Sequence, residues 1–231
     1  MTWNLIFPQA GEYRLDCELR SRDGKTLATD QIPLAVLASP ASGTAVVGMD
    51  ERGRLLVDGK KFFPIGIFTN RQITRKQLEL PREMELIAEA GFNCVLPYDS
   101  LEYRMPGDNS ADKEEALGKV LDHLQTLNLK MLPSLDYVRK GEHARMQRVV
   151  TNLRNHPALL GWYLCDEPTL KERDSLRKLC RELNQLDPAH PLIGVSLMAD
   201  GSALYAGTTN IYAFDTPFTV TPGTSPALMI R

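Results

Sequence analysis

Apolar residues recur along this chain in two rhythms, and the rhythm changes near residue 40. In "GEYRLDCELRS" Tyr13, Leu15, Cys17 and Leu19 alternate with polar neighbours, the period of a half-buried strand. "RDGK" is a turn in which Gly24 is free to take positive φ, and "TLATDQIPLAVL" is the return strand. The small and polar stretch "ASPASGTA" reads as a linker near residues 38–45. Beyond it "LLVDGKKFFPIGIF" predicts a second hairpin, with strand Leu55 to Val57, a turn at Asp58-Gly59 and an apolar strand from Phe62 to Phe68.

From there strand and helix alternate. Leu80, Met84, Ile87 and Ala88 mark a helix that Gly91 stops. Leu117, Val120, Leu121, Leu124 and Leu127 carry the three-and-four spacing of one buried face, with Asp112 and Glu115 as cap and capping-box partner. Met146, Val149, Val150 and Leu153 mark a third helix, and Leu176, Leu179, Cys180, Leu183 and Leu186 a fourth. Between them lie apolar runs: "NCVLPYD", "KMLPSLD", "LLGWYLCDEP", "PLIGVSL" and "NIYAFDTPF". Apolar strands joined by helices predict an α/β fold with a parallel sheet buried on both faces.

An open doubly wound sheet and a closed TIM (β/α) barrel both fit that order. A nucleotide-binding sheet wants a glycine-rich first βα loop. Here the loop is "TNRQITRKQ", without glycine, and no GxxxxGK[ST] occurs. The barrel is the favoured architecture, partial or complete, with about six βα units.

Composition adds little. The chain has 231 residues, 43% hydrophobic and 24% charged, with net charge −2, which is ordinary for a globular domain. No basic stripe points to nucleic acid, and no apolar run is long enough to cross a bilayer. The opening residues lack the pattern of a signal peptide, and the expectation is a soluble protein, secreted or periplasmic if a leader lies upstream. The four cysteines form no CxxC pair and the histidines no HExxH, so no zinc site is expected. Cys94 and Cys165 are expected as buried free thiols.

Polar residues gather where strands end: Thr69 and Asn70, Tyr98 and Asp99, Asp136 and Tyr137, Asp166 and Glu167, Ser196, and Asp215. In a barrel that rim is where chemistry stands. Plain helix capping explains part of the set. Asp166 and Glu167 are adjacent and must face different ways. A carboxyl held among Trp162, Tyr163 and other apolar groups would have a raised pKa, as a general acid requires. A glutamate favoured by a helix dipole is an equal reading of the spacing.

"NHPALLGWYLCDEP", Asn155 to Pro168, resembles the fourth-strand signature of clan A glycoside hydrolases, the retaining TIM-barrel enzymes that include the family 2 β-galactosidase-like group. "LLVDGKKFFPIGIF" resembles that group's entry into the first strand, and "NIYAFDTPF" a sixth-strand pattern. The likeness implies that Glu167 is the general acid/base. It implies a carbohydrate substrate, acted on at O-glycosidic bonds, and no metal or organic cofactor. Asp166, Asp99, Asp136, Tyr137, Trp162 and Asp215 become the candidate sugar contacts. Residues 1–40 resemble the last strands of a β-sandwich domain and 41–231 the hydrolase-like barrel. Asp166 stands where the group has Asn. The group's nucleophile, a second carboxylate on a seventh strand, is not expected within this chain, which fits a truncated hydrolase. Its open edges predict self-association. An inactive carbohydrate-binding or scaffold module is the alternative. An unrelated lyase or aldolase barrel would want a Schiff-base lysine at a strand end, and Lys130 opens its strand instead.

Overall fold

The computed structural model describes residues 9, 11–36, 46–50, 52–69, 80–98, 101, 110–139, 141–196 and 205–214. It divides into two units, Met1–Ser39 and Pro40–Arg231. The linker expected at 38–45 lies outside the described residues.

In the first unit β1 (Gly11–Arg20) and β2 (Thr26–Val36) form an antiparallel hairpin. The alternation of β1 holds for Tyr13, Leu15 and Cys17, which are half-buried, while Leu19 is exposed. Gly24 turns the chain at φ +87°.

The second unit opens with a small antiparallel sheet of β3 (Val47–Met49), β4 (Leu55–Val57) and β5 (Lys60–Lys61). Asp58 and Gly59 join the last two with φ of +50° and +74°. Positive φ at both turn residues is the I′ geometry whose twist suits a hairpin. The return strand is shorter than expected, and pairing resumes only at β6 (Gly66–Thr69).

β6, β7 (Cys94–Pro97) and β8 (Lys130–Met131) form one parallel sheet. β9 (Trp162–Asp166), β10 (Leu192–Ser196) and β11 (Ile211–Phe214) form another. Two isolated parallel bridges, Met131 to Leu159 and Ser134 to Tyr163, join them. Six strands thus neighbour one another in chain order, the sequence of a βα succession. Pro133 lacks an N–H, and the β8 ladder stops just before it.

Among the described residues four longer helices pack against the strands: α1 (Leu80–Glu89), α2 (Ser110–Thr126), α4 (His143–Leu153) and α5 (Arg173–Leu186), with a single turn, α3 (Asp136–Arg139), between α2 and α4. α1 and α2 end alike. Gly91 and Asn128 take φ of +86° and +56°, Phe92 and Leu129 donate back to Ile87 and Leu124, and Gly91 and Asn128 donate to Ala88 and Gln125. These are Schellman motifs. α2 begins at Ser110, two residues before the expected cap at Asp112.

The main core lies between helices and strands. Leu117, Leu121 and Leu124 of α2, Met146 and Val150 of α4, and Leu176 and Leu183 of α5 bury against Val95, Met131, Leu159, Trp162, Leu164 and Leu192. A smaller cluster of Val47, Cys94 and Leu160, with Phe62 and Leu132, sits under the N-terminal ends of the strands. The β3–β5 sheet closes that end, and Val47 N–H donates to the Ala189 carbonyl. Cys94, Cys165 and Cys180 are buried free thiols, and Cys17 is free and half-buried. No described helix is long and apolar enough to cross a membrane.

Candidate functional site

The site lies where β9 ends. The β9–β10 register runs Trp162 to Leu192 and Tyr163 to Ile193, then skips Leu164 and resumes with Cys165 to Gly194. One surplus residue in a strand is a β-bulge. Trp162, Leu164 and Cys165 consequently all join the helix-side core, and Tyr163 and Asp166 share the other face. The Tyr163 hydroxyl donates to Asp166 Oδ1 at 2.6 Å. Gly194 leaves room for the bulge, since a Cβ there would meet Cys165 Sγ at 2.9 Å and Thr209 Cγ2 at 2.6 Å.

Burial, then the bond to Asp166, pushes the Tyr163 phenol far above its usual range. It stays protonated and acts as a donor. Burial likewise pushes the Cys165 thiol up to about 12, so that thiol is no nucleophile at neutral pH.

Glu167 follows the strand with φ +42°. A non-glycine residue there is strained, and such strain concentrates at functional sites. Its N–H donates to the Val195 carbonyl, and its side chain is exposed. Trp162 and Tyr163, expected around this carboxyl, are themselves buried in β9.

An ion triad flanks the turn. Asp136 is buried, and its Oδ1 accepts from Arg139 at 2.8 and 3.0 Å and from the Asp166 N–H at 3.3 Å. Arg139 also donates to Glu172 Oε1 at 3.0 Å. Glu172 Oε2 accepts from the Thr169 N–H at 2.9 Å and hydroxyl at 3.0 Å. The triad thus holds the backbone on both sides of Glu167. Burial works against the charge of Arg139, but Asp136 and Glu172 outweigh it and raise its pKa. The Thr169 N–H, with Arg139, holds Glu172 down at about 2.

Two of the expected sugar contacts are buried in this structure. Asp136 is 1% exposed and is already engaged with Arg139, so it braces the turn and has no surface for a ligand. Trp162 is 0% exposed and lies at the opposite end of β9, where its indole N–H donates to Asp187 Oδ2 at 2.7 Å. Asp166 does face the same side as Tyr163 and is partly exposed. Tyr137 is the second residue of α3. Asp99 and Asp215 lie outside the described residues. Lys130 sits at the N-terminal end of β8, its Nζ donating to the Pro157 carbonyl, and burial lowers its pKa.

Arg139 and Glu172 were missed from the sequence, and Tyr163 was expected there only as part of an apolar surround. Only "TLKE", Thr169 to Glu172, carried a legible signal, that of a capping box.

This arrangement of strands has counterparts among solved structures. The chain's fold is similar to part of several glycoside hydrolases of known structure. The β-glucuronidase of Parabacteroides merdae superposes with a TM-score of 0.54 at 15% identity, over 88% of this chain and 25% of that one. A glycosyl hydrolase family 2 member from Bacteroides cellulosilyticus gives 0.56 at 17%, over 90% and 28%. The β-1,4-D-mannanase of Cryptopygus antarcticus gives 0.54 at 11%, over 74% and 70%. The chain spans about a quarter of the length of the β-glucuronidase. No family model matches the sequence, and no curated protein does.

Proposed function

We propose that this chain presents the acid/base carboxylate of a retaining O-glycosidase, with Glu167 in that role, on the rim of a TIM-type barrel to which β6–β11 belong. Residues 1–40 would be the last hairpin of a sandwich domain. The observation that carries the reading is the backbone of Glu167, held at φ +42° at a parallel strand end between two anchored neighbours. Parallel strands of a barrel present their chemistry at that end, and the expected Glu-Pro motif falls on it. Asp166, oriented by Tyr163, is the nearest acceptor for a sugar hydroxyl, and Asp99, Tyr137 and Asp215 complete the proposed contacts.

Retention needs a second carboxylate about 5–5.5 Å away, expected on a seventh strand beyond these six. The acid/base role has its own signature. In a protein that also supplies that carboxylate, Glu167→Gln abolishes hydrolysis of aryl glycosides with poor leaving groups and spares those with good ones, which need no proton. Equal loss on both substrates would sink the role.

The exposure of Glu167 favours a second reading, a carbohydrate-binding or scaffold module without turnover. Oligosaccharide binding without hydrolysis by the intact protein distinguishes it.

A further inference from the structure

On the same face as Asp166 runs a row of aromatic rings. Tyr163 of β9 meets Tyr98 edge-on, with centroids 6.0 Å apart and planes at 75°. Tyr98, just past β7, meets Phe68 of β6 at 5.5 Å with planes only 33° apart. Burial falls along the row. Tyr163 is fully buried, Tyr98 partly, and Phe68 is 54% exposed. At the buried end Asp166 offers its carboxylate. Oδ1 is taken by Tyr163, and among the described residues Oδ2 accepts no bond.

A large aromatic ring left half in water forgoes the stabilisation of burial. Here the exposed ring is tilted 33° from its neighbour, and the row ends at a fixed hydrogen-bond acceptor, Asp166. A pyranose ring has the complementary shape, with a C–H face that stacks on an aromatic surface and hydroxyls around its edge.

We propose that Phe68 and Tyr98 form a stacking platform for a neutral pyranose unit, whose hydroxyl donates to Asp166 Oδ2. The platform is specific to this chain's aromatic residues on the first two parallel strands. It rests on the rim being the substrate face, as in the reading above, but not on Glu167 being the proton donor.

The test is titration calorimetry of the full chain carrying Glu167→Gln, with cellopentaose, mannopentaose and xylopentaose as probes. At least one is expected to bind, and Phe68→Ala to weaken it about tenfold, the equivalent of a lost aromatic contact. Phe68→Leu keeps apolar volume without the flat ring, and should weaken binding almost as much at unchanged Tm. Asp166→Ala weakens binding further. Equal binding by the wild-type ring and by Phe68→Leu overturns the platform, as does binding by none of the three probes. Aryl-glycoside turnover reports on Glu167 separately. Turnover without a Phe68 effect leaves the acid/base standing and removes the platform, and a Phe68 effect without turnover keeps the platform.

Discussion

The Tyr163 hydroxyl and Asp166 Oδ1 stand 2.6 Å apart, three residues apart on one strand. Regular alternation would put them on opposite faces, and the bulge at Leu164 brings them together. Tyr163→Phe keeps the ring beside Tyr98 and removes only the donor. A hydrogen bond to a charged group contributes about 1.5–3 kcal/mol. The variant should lose about 1.5 kcal/mol, read as a lower urea midpoint with unchanged slope. No change in midpoint would mean that solvent replaces the hydroxyl.

Arg139→Met should be more damaging. It leaves Asp136 buried without its counter-charge, and breaking a buried pair costs about 3–5 kcal/mol. Asp136→Leu together with Arg139→Met should recover part of the loss. Full recovery is not expected, because Asp136 also accepts from the Asp166 N–H. Chemical denaturation of the two variants measures both effects.

Glu172 makes stability depend on pH at the acid end. Its pKa is lowered from 4.5 to about 2, so its contribution is full above about pH 4.5 and is lost as pH falls towards 2. Partial exposure reduces the effect to about 1 kcal/mol. Glu172→Gln should be less stable than wild type at pH 6, and the gap should close by pH 2. A gap of constant size would assign the loss to packing.

Gly194→Ala tests the space beside the bulge. The new Cβ would lie 2.6 Å from Thr209 Cγ2 and 2.9 Å from Cys165 Sγ, and overpacking of this kind costs about 1–3 kcal/mol. Thr209→Ser removes the closer atom, so the double variant should melt above Gly194→Ala alone.

The helices were legible because Leu117, Leu121 and Leu124, or Leu176, Cys180 and Leu183, repeat at the period of a buried face. Asp58-Gly59 announced its turn because few other pairs tolerate positive φ twice. β9 was harder. Both of its faces are buried, so its apolar residues carry no sign of which way each points, and Trp162 read as readily towards a ligand as towards α5. The bulge left no mark in composition. Arg139 and Glu172 carried no sign of their pairing, since nothing local shows that a residue 33 positions away will meet the first.

β9 therefore carries one residue more than its ladder needs. Leu164 could be deleted in principle without turning Asp166 away, since Tyr163, Cys165 and Asp166 would then simply alternate. The opposite change, straightening the strand at constant length, would swing Cys165 onto the face that Asp166 now holds and turn Asp166 away. A backbone slip of a single residue thus decides which face Asp166 takes, and a strand one residue shorter here presents the same acid in the same place.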